Sequence, residues 1–172
     1  MDLQEMHAAW AAREQRFESW ENKLFDAAFT LRDDLIAKLK SDPMAYTDLE
    51  GRSRWWVGAY EVDASTSPLE RGSSTSRQFL AEGLLRFSIG VAMEIRPRTF
   101  PKTLITVPVA VRAHDGAIFW CLWDSEAHDA DREQAWMPAA AMVTKLVTAR
   151  IEMMLAWDPM KGPEDKRAIG FC

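Results

Sequence analysis

Leu85-Arg86-Phe87-Ser88-Ile89-Gly90-Val91-Ala92-Met93-Glu94-Ile95-Arg96 alternates apolar residues with small or polar ones along its whole length. Successive side chains of an extended chain point to opposite faces, so the odd-numbered set predicts a strand with one buried side. Two further runs share the pattern: Ile105, Val107, Val109 and Val111, then Ile118-Phe119-Trp120-Cys121-Leu122-Trp123. Between them, Asp115-Gly116 offers the two residues that accept positive φ in a tight hairpin turn. That turn pairs Ala113 with Ile118, Val111 with Trp120 and Val109 with Leu122. The apolar faces then agree on both strands, so turn chemistry and hydrophobic pattern specify one register. Pro108 cannot donate to a ladder and is expected at an edge strand or a bulge.

Upstream, Arg54-Trp55-Trp56-Val57-Gly58-Ala59-Tyr60-Glu61-Val62 reads as a first strand with aromatics on both faces. Residues 63–77, rich in Ser, Thr, Pro and Gly, read as a loop and lack the Gly-Lys-Ser/Thr sequence of a phosphate-binding turn. Asp2 to Ser41 contains no proline or glycine. Leu3, Met6, Trp10, Phe17, Trp20, Leu24, Ala27 and Leu31 recur there at spacings of three, four or seven, interrupted once at Arg13. A continuous helix of that length reaches roughly 50–60 Å, more than one small sheet can cover. Its surplus stripe is expected to meet the C-terminal helix or a second copy, with Trp10, Phe17, Trp20 and Leu24 as dimer contacts.

Downstream, Trp136-Met137-Pro138 opens a second helix with proline in its first turn. Met142, Val143, Leu146, Val147, Arg150, Ile151, Met154 and Leu155 form its apolar side. The expected fold is therefore α+β: a long N-terminal helix, a four-stranded antiparallel meander and an amphipathic C-terminal helix. Residues 1–159 are expected to form one domain and 160–172 a poorly ordered tail.

The chain has 172 residues, 48% hydrophobic and 27% charged, enough for a substantial core without a disulfide or metal staple. Cys121 lies within an apolar run and reads as a small core hydrophobe, while Cys172 is the last residue. Met1-Asp2-Leu3-Gln4-Glu5 lacks the basic and apolar regions of a secretion signal, and no apolar run approaches the ~20 residues that span a bilayer. A cytoplasmic protein with no membrane contact is expected. Basic and acidic residues number six against eleven in 1–50, nine against five in 51–112, and six against ten in 113–172. The sheet is thus the one net-basic segment of an acidic chain.

The acidic stretch Asp124 to Glu133, with His128, gathers metal-type ligands but matches neither an EF-hand nor a zinc helix. His114 beside the hairpin turn lacks a recognisable nucleophile motif, so no catalytic, cofactor or metal set is assigned and no cofactor is expected. Arg54, Trp56, Arg86, Arg96, Arg98, Lys102 and Arg112 combine cations with aromatics on or beside the strands, as single-stranded nucleic-acid binders do. Ser88, Gly90 and Ala92 leave a small-residue face where a helix or a sister subunit could dock. The leading expectation is a non-catalytic homodimeric binding protein with a protein partner. Nucleic-acid binding by the sheet is the alternative, and an enzyme or metal protein centred on 124–133 the third.

Overall fold

The computed structural model of the chain describes residues 2–41, 45–62, 67–71, 83–94, 102–122 and 136–156. Helix α1 (Leu3–Leu39) starts at a reciprocal capping box: the Asp2 carboxylate accepts from the Glu5 N–H, and Glu5 accepts from the Asp2 N–H, both at 2.8 Å. It ends at Lys40, whose φ of 50° lets its N–H turn back to the carbonyls of the last turn. Three short strands follow, β1 (Ala45–Thr47), β2 (Ser53–Trp55) and β3 (Val57–Tyr60). Then come β4 (Leu85–Met93), β5 (Thr103–His114), β6 (Ala117–Leu122) and helix α2 (Ala140–Ala156).

The main sheet is antiparallel in the order β3-β4-β5-β6. The β5–β6 hairpin has the register that its turn demands: Ala113↔Ile118, Val111↔Trp120 and Val109↔Leu122. Asp115 and Gly116 both have positive φ, 50° and 79°. Replacing Gly116 by valine puts a β-branched side chain in a left-handed conformation. The expected cost is about 1–2 kcal/mol, seen as a lower urea midpoint with an unchanged slope.

The odd-numbered face of β4 and β5 meets α1 and α2. Leu24, Phe25, Leu31 and Leu35 of α1, Val143, Val147 and Ile151 of α2, and Leu85, Phe87, Ile89, Val109 and Val111 of the sheet form one buried cluster. Thr144 and Thr148, polar residues within α2, return their hydroxyls to the carbonyls of Ala140 and Thr144.

Several expectations are corrected. The first strand is two strands: Trp56 breaks it, and β2 pairs with β1 in a separate two-stranded ribbon. β5 is an inner strand of the sheet rather than an edge strand, and Pro108 stands opposite Ser88 in its unbroken ladder with β4. Trp120 exchanges both backbone bonds with Met137, so the alternation turns the Pro108 nitrogen toward the β6 side. The described β6 pairing ends at Leu122, opposite Val109, so among the described residues no acceptor is paired with the Pro108 position on that side. Met137, expected within the second helix, forms that bridge to Trp120, and α2 begins at Ala140.

Part of the 63–77 segment is packed: Pro68 bridges Tyr60, and Leu69, 5% exposed, donates to the Ala59 carbonyl. These two bridges cover both outer edges of the sheet. The remainder of 63–77 falls outside the described residues. So do the connection carrying Arg96 and Arg98, the acidic stretch 124–133 with His128, and the tail 160–172.

Candidate functional site

Two surfaces carry the residues singled out from sequence: the sheet face turned away from the helices, and the N-terminal half of α1. On the sheet face, period-two alternation sets Gly58 and Tyr60 of β3, Arg86, Ser88, Gly90 and Ala92 of β4, and Ala110 and Arg112 of β5 side by side. The small-residue patch is not open. Tyr60, 1% exposed, lies across it, and a methyl group at Gly58 or Gly90 would come within 2.7 Å of its ring. Its hydroxyl donates to the Trp55 carbonyl at 3.4 Å, and burial raises its pKa above the ordinary tyrosine value.

Of the four expected cations among the described residues, Lys102 and Arg54 face carboxylates. The Lys102 ammonium, on a side chain only 6% exposed, is paired with Glu94. It also sits 4.3 Å from the Trp56 ring centre and 5.0 Å from that of Tyr46. Those rings stand 4.8 Å apart, so the lysine occupies a box of two aromatics and a carboxylate. Arg54 donates to Asp48 at 3.1 Å, and Asp48 also accepts from the Arg52 side chain and from the N–H groups of Glu50 and Arg52. Desolvation pulls the Asp48 carboxyl upward, but the Arg52 N–H and the two guanidiniums outweigh it and hold its pKa below the usual value.

Arg112 differs. Its guanidinium lies 4.2 Å from the Trp136 ring centre and 5.9 Å from that of Phe119, with no carboxylate in ion-pair reach among the described residues. Its Nε is shielded and has no acceptor among the described residues. Arg86, half-buried, stands in the row of Ala110 and Cys121. Burial pushes the Cys121 thiol up to about 11, against the pull of the Ala110 backbone and both arginines. A thiol so protonated at neutral pH is a packing group, not a nucleophile.

His114 Nε2 lies 3.3 Å from Asp115, both side chains well exposed. Among the described residues, no group of three or more His, Cys, Asp or Glu side chains could hold a metal ion. No described helix is long and apolar enough to cross a membrane.

The second surface is simpler. Every residue of α1 from Asp2 to Ser19 is exposed, and the core begins at Leu24. Leu3, Met6, Trp10 and Phe17 remain 67%, 51%, 60% and 42% exposed. Trp20 is half-buried, with its ring centre 5.5 Å from that of Phe17. Leu24, expected as a dimer contact, is fully buried in the chain's own core, which removes it from any such contact. Where the free half meets the sheet, a shallow groove of about 630 Å³ is lined by Arg16, Ser19, Trp20 and Lys23 of α1 and by Asp115 and Gly116 of the hairpin. On α2, Met142, Leu146 and Met153 form a second exposed apolar row.

Sequence reasoning missed the β1–β2 ribbon and its Asp48 cluster. The available signal was Asp48 three residues before Gly51, a turn pattern between two short β-prone pieces. Comparison with family models, with curated proteins and with solved structures finds no match for this chain.

Proposed function

We propose that the chain is a non-catalytic cytosolic binding protein, an adaptor, regulator or accessory factor, that works as a homodimer through the N-terminal half of α1. The observation that carries this reading is the exposed stripe Leu3, Met6, Trp10 and Phe17 on a helix half with no packing partner among the described residues. Apolar side chains this large, set in line, are characteristic of contact surfaces. Most helical stability in proteins comes from packing an apolar face, so a partner on that stripe also stabilises the helix itself.

Binding of single-stranded nucleic acid by the sheet has less support. Arg54 and Lys102 face carboxylates, and Tyr60 covers the small-residue face. Arg112, stacked on Trp136, is what remains in favour of that alternative among the described residues.

Static light scattering at tens of micromolar is expected to return twice the 19.6 kDa chain mass. The double substitution Trp10→Glu, Phe17→Glu is expected to return the single chain mass with an unchanged far-UV spectrum. A clean monomer from the unsubstituted chain overturns the reading.

A further inference from the structure

We infer that two copies pair their α1 N-terminal halves antiparallel over residues 2–20, an arrangement that rests on the homodimer reading and adds orientation and register to it. The stripe is a heptad seam. Leu3, Trp10, Phe17, Leu24 and Leu31 recur at every seventh residue, with Met6, Arg13, Trp20 and Ala27 as the second row. From Leu24 onward the seam is covered by the chain's own core: Leu24 and Leu31 are 0% exposed and Ala27 is 7%. The first half of the same seam lies open.

That continuity excludes a parallel partner. Because the sheet sits on the seam side of α1, a parallel second helix would carry its own sheet into the space already filled. It would also set Arg13 against its own copy within the apolar layers. An antiparallel partner runs the other way, and its sheet emerges beyond Leu3.

In antiparallel packing each first-row residue faces a second-row residue. Leu3 then meets the partner's Trp20, Phe17 the partner's Met6, and Trp10 the partner's Arg13. The one polar interruption of the stripe thereby finds an indole in the facing helix. Arg13 already lies 4.9 Å from the Trp10 ring centre of its own chain. The flanking positions are complementary as well: Asp2 falls opposite the partner's Lys23, and His7 opposite the partner's Glu14. Lys23 lines the groove beside the hairpin turn, so that groove receives the acidic end of the partner helix. The apolar layers stop at Trp20, one turn before the core begins.

Donor–acceptor energy transfer tests this in a Cys172→Ser background, where Cys121 stays buried. Mixed labels are placed at Gln4→Cys or at Lys38→Cys, both exposed positions. With 1.5 Å rise per residue about a dyad between residues 11 and 12, the antiparallel pair holds the two Gln4 labels about 25 Å apart and the two Lys38 labels about 80 Å apart. Strong transfer at position 4 with little at position 38 is the expected result. Strong transfer at both positions means a parallel dimer and overturns this inference while leaving the homodimer reading intact. No transfer at either, together with a monomer mass, overturns both. A dimer that survives Trp10→Glu but dissociates with Leu146→Glu places the contact on α2 and also overturns it.

Discussion

Leu31→Ala is expected to cost the fold about 2–5 kcal/mol, while Leu3→Ala, the same substitution on the same helical stripe, leaves the isolated chain within about 0.5 kcal/mol of its starting stability. Leu31 is 0% exposed and touches the sheet, so its truncation removes transfer free energy and leaves a cavity in a packed cluster. Leu3 is 67% exposed and has no such neighbours to lose. Against a total of about 5–15 kcal/mol for a typical domain, the first variant approaches unfolding and the second does not. Equilibrium urea unfolding, run at a concentration low enough to dissociate any dimer, separates them. Repeating it at high concentration gives a second readout. A loss for Leu3→Ala that appears only there is the mass-action signature of an interface. Equal losses for both variants at low concentration would show that the free half of α1 is packed within its own chain.

Tyr60→Ala is expected to cost about 3–5 kcal/mol, the range for emptying a large buried aromatic site. Its ring is 1% exposed and roofs the two glycines in contact across β3 and β4. Gly90→Ala should then lower stability by about 1–3 kcal/mol through overpacking. The new methyl would lie 2.7 Å from the Tyr60 ring and 3.0 Å from Leu104 Cδ1. Neither Gly58 nor Gly90 has positive φ, so sterics alone explain glycine there. The decisive measurement is the double-mutant cycle. With Tyr60 already removed, much of the clash is gone, and Gly90→Ala should cost far less than in the native background. Strict additivity would mean that the ring does not hold the glycines' space.

How far the fold was legible in the chain follows from the range of the forces involved. The β5–β6 register was readable because Asp115-Gly116 has a local backbone requirement and one buried face penalises any one-residue slip. The break at Trp56 was not. Alternating aromatics suit either one long strand or two short ones, and the choice rests on where the β1–β2 ribbon docks. Pro108 misled for a similar reason. Its missing N–H excludes a ladder bond on one side only, and which side that is depends on how β5 pairs with its neighbours.

The candidate surfaces divide in the same way. Cations and aromatics on the strands were visible, but composition does not reveal that Lys102 faces Glu94 between Tyr46 and Trp56, or that Arg54 faces Asp48. Those pairings join residues brought together only by the turns between strands.

By itself the sequence determined the main elements and their faces: a long helix with a seven-residue apolar seam, strands of period two and one hairpin register. These are set by neighbours a few residues apart, through backbone sterics and side-chain direction. The tertiary structure alone decided which half of the helix seam is core and which is surface, and that Tyr60 covers the glycine patch on the far face of the sheet. The reason is dimensional. A 37-residue helix is about 55 Å long, whereas four strands at about 4.8 Å spacing make a far narrower sheet. Only their docking position says which half of the stripe is left exposed.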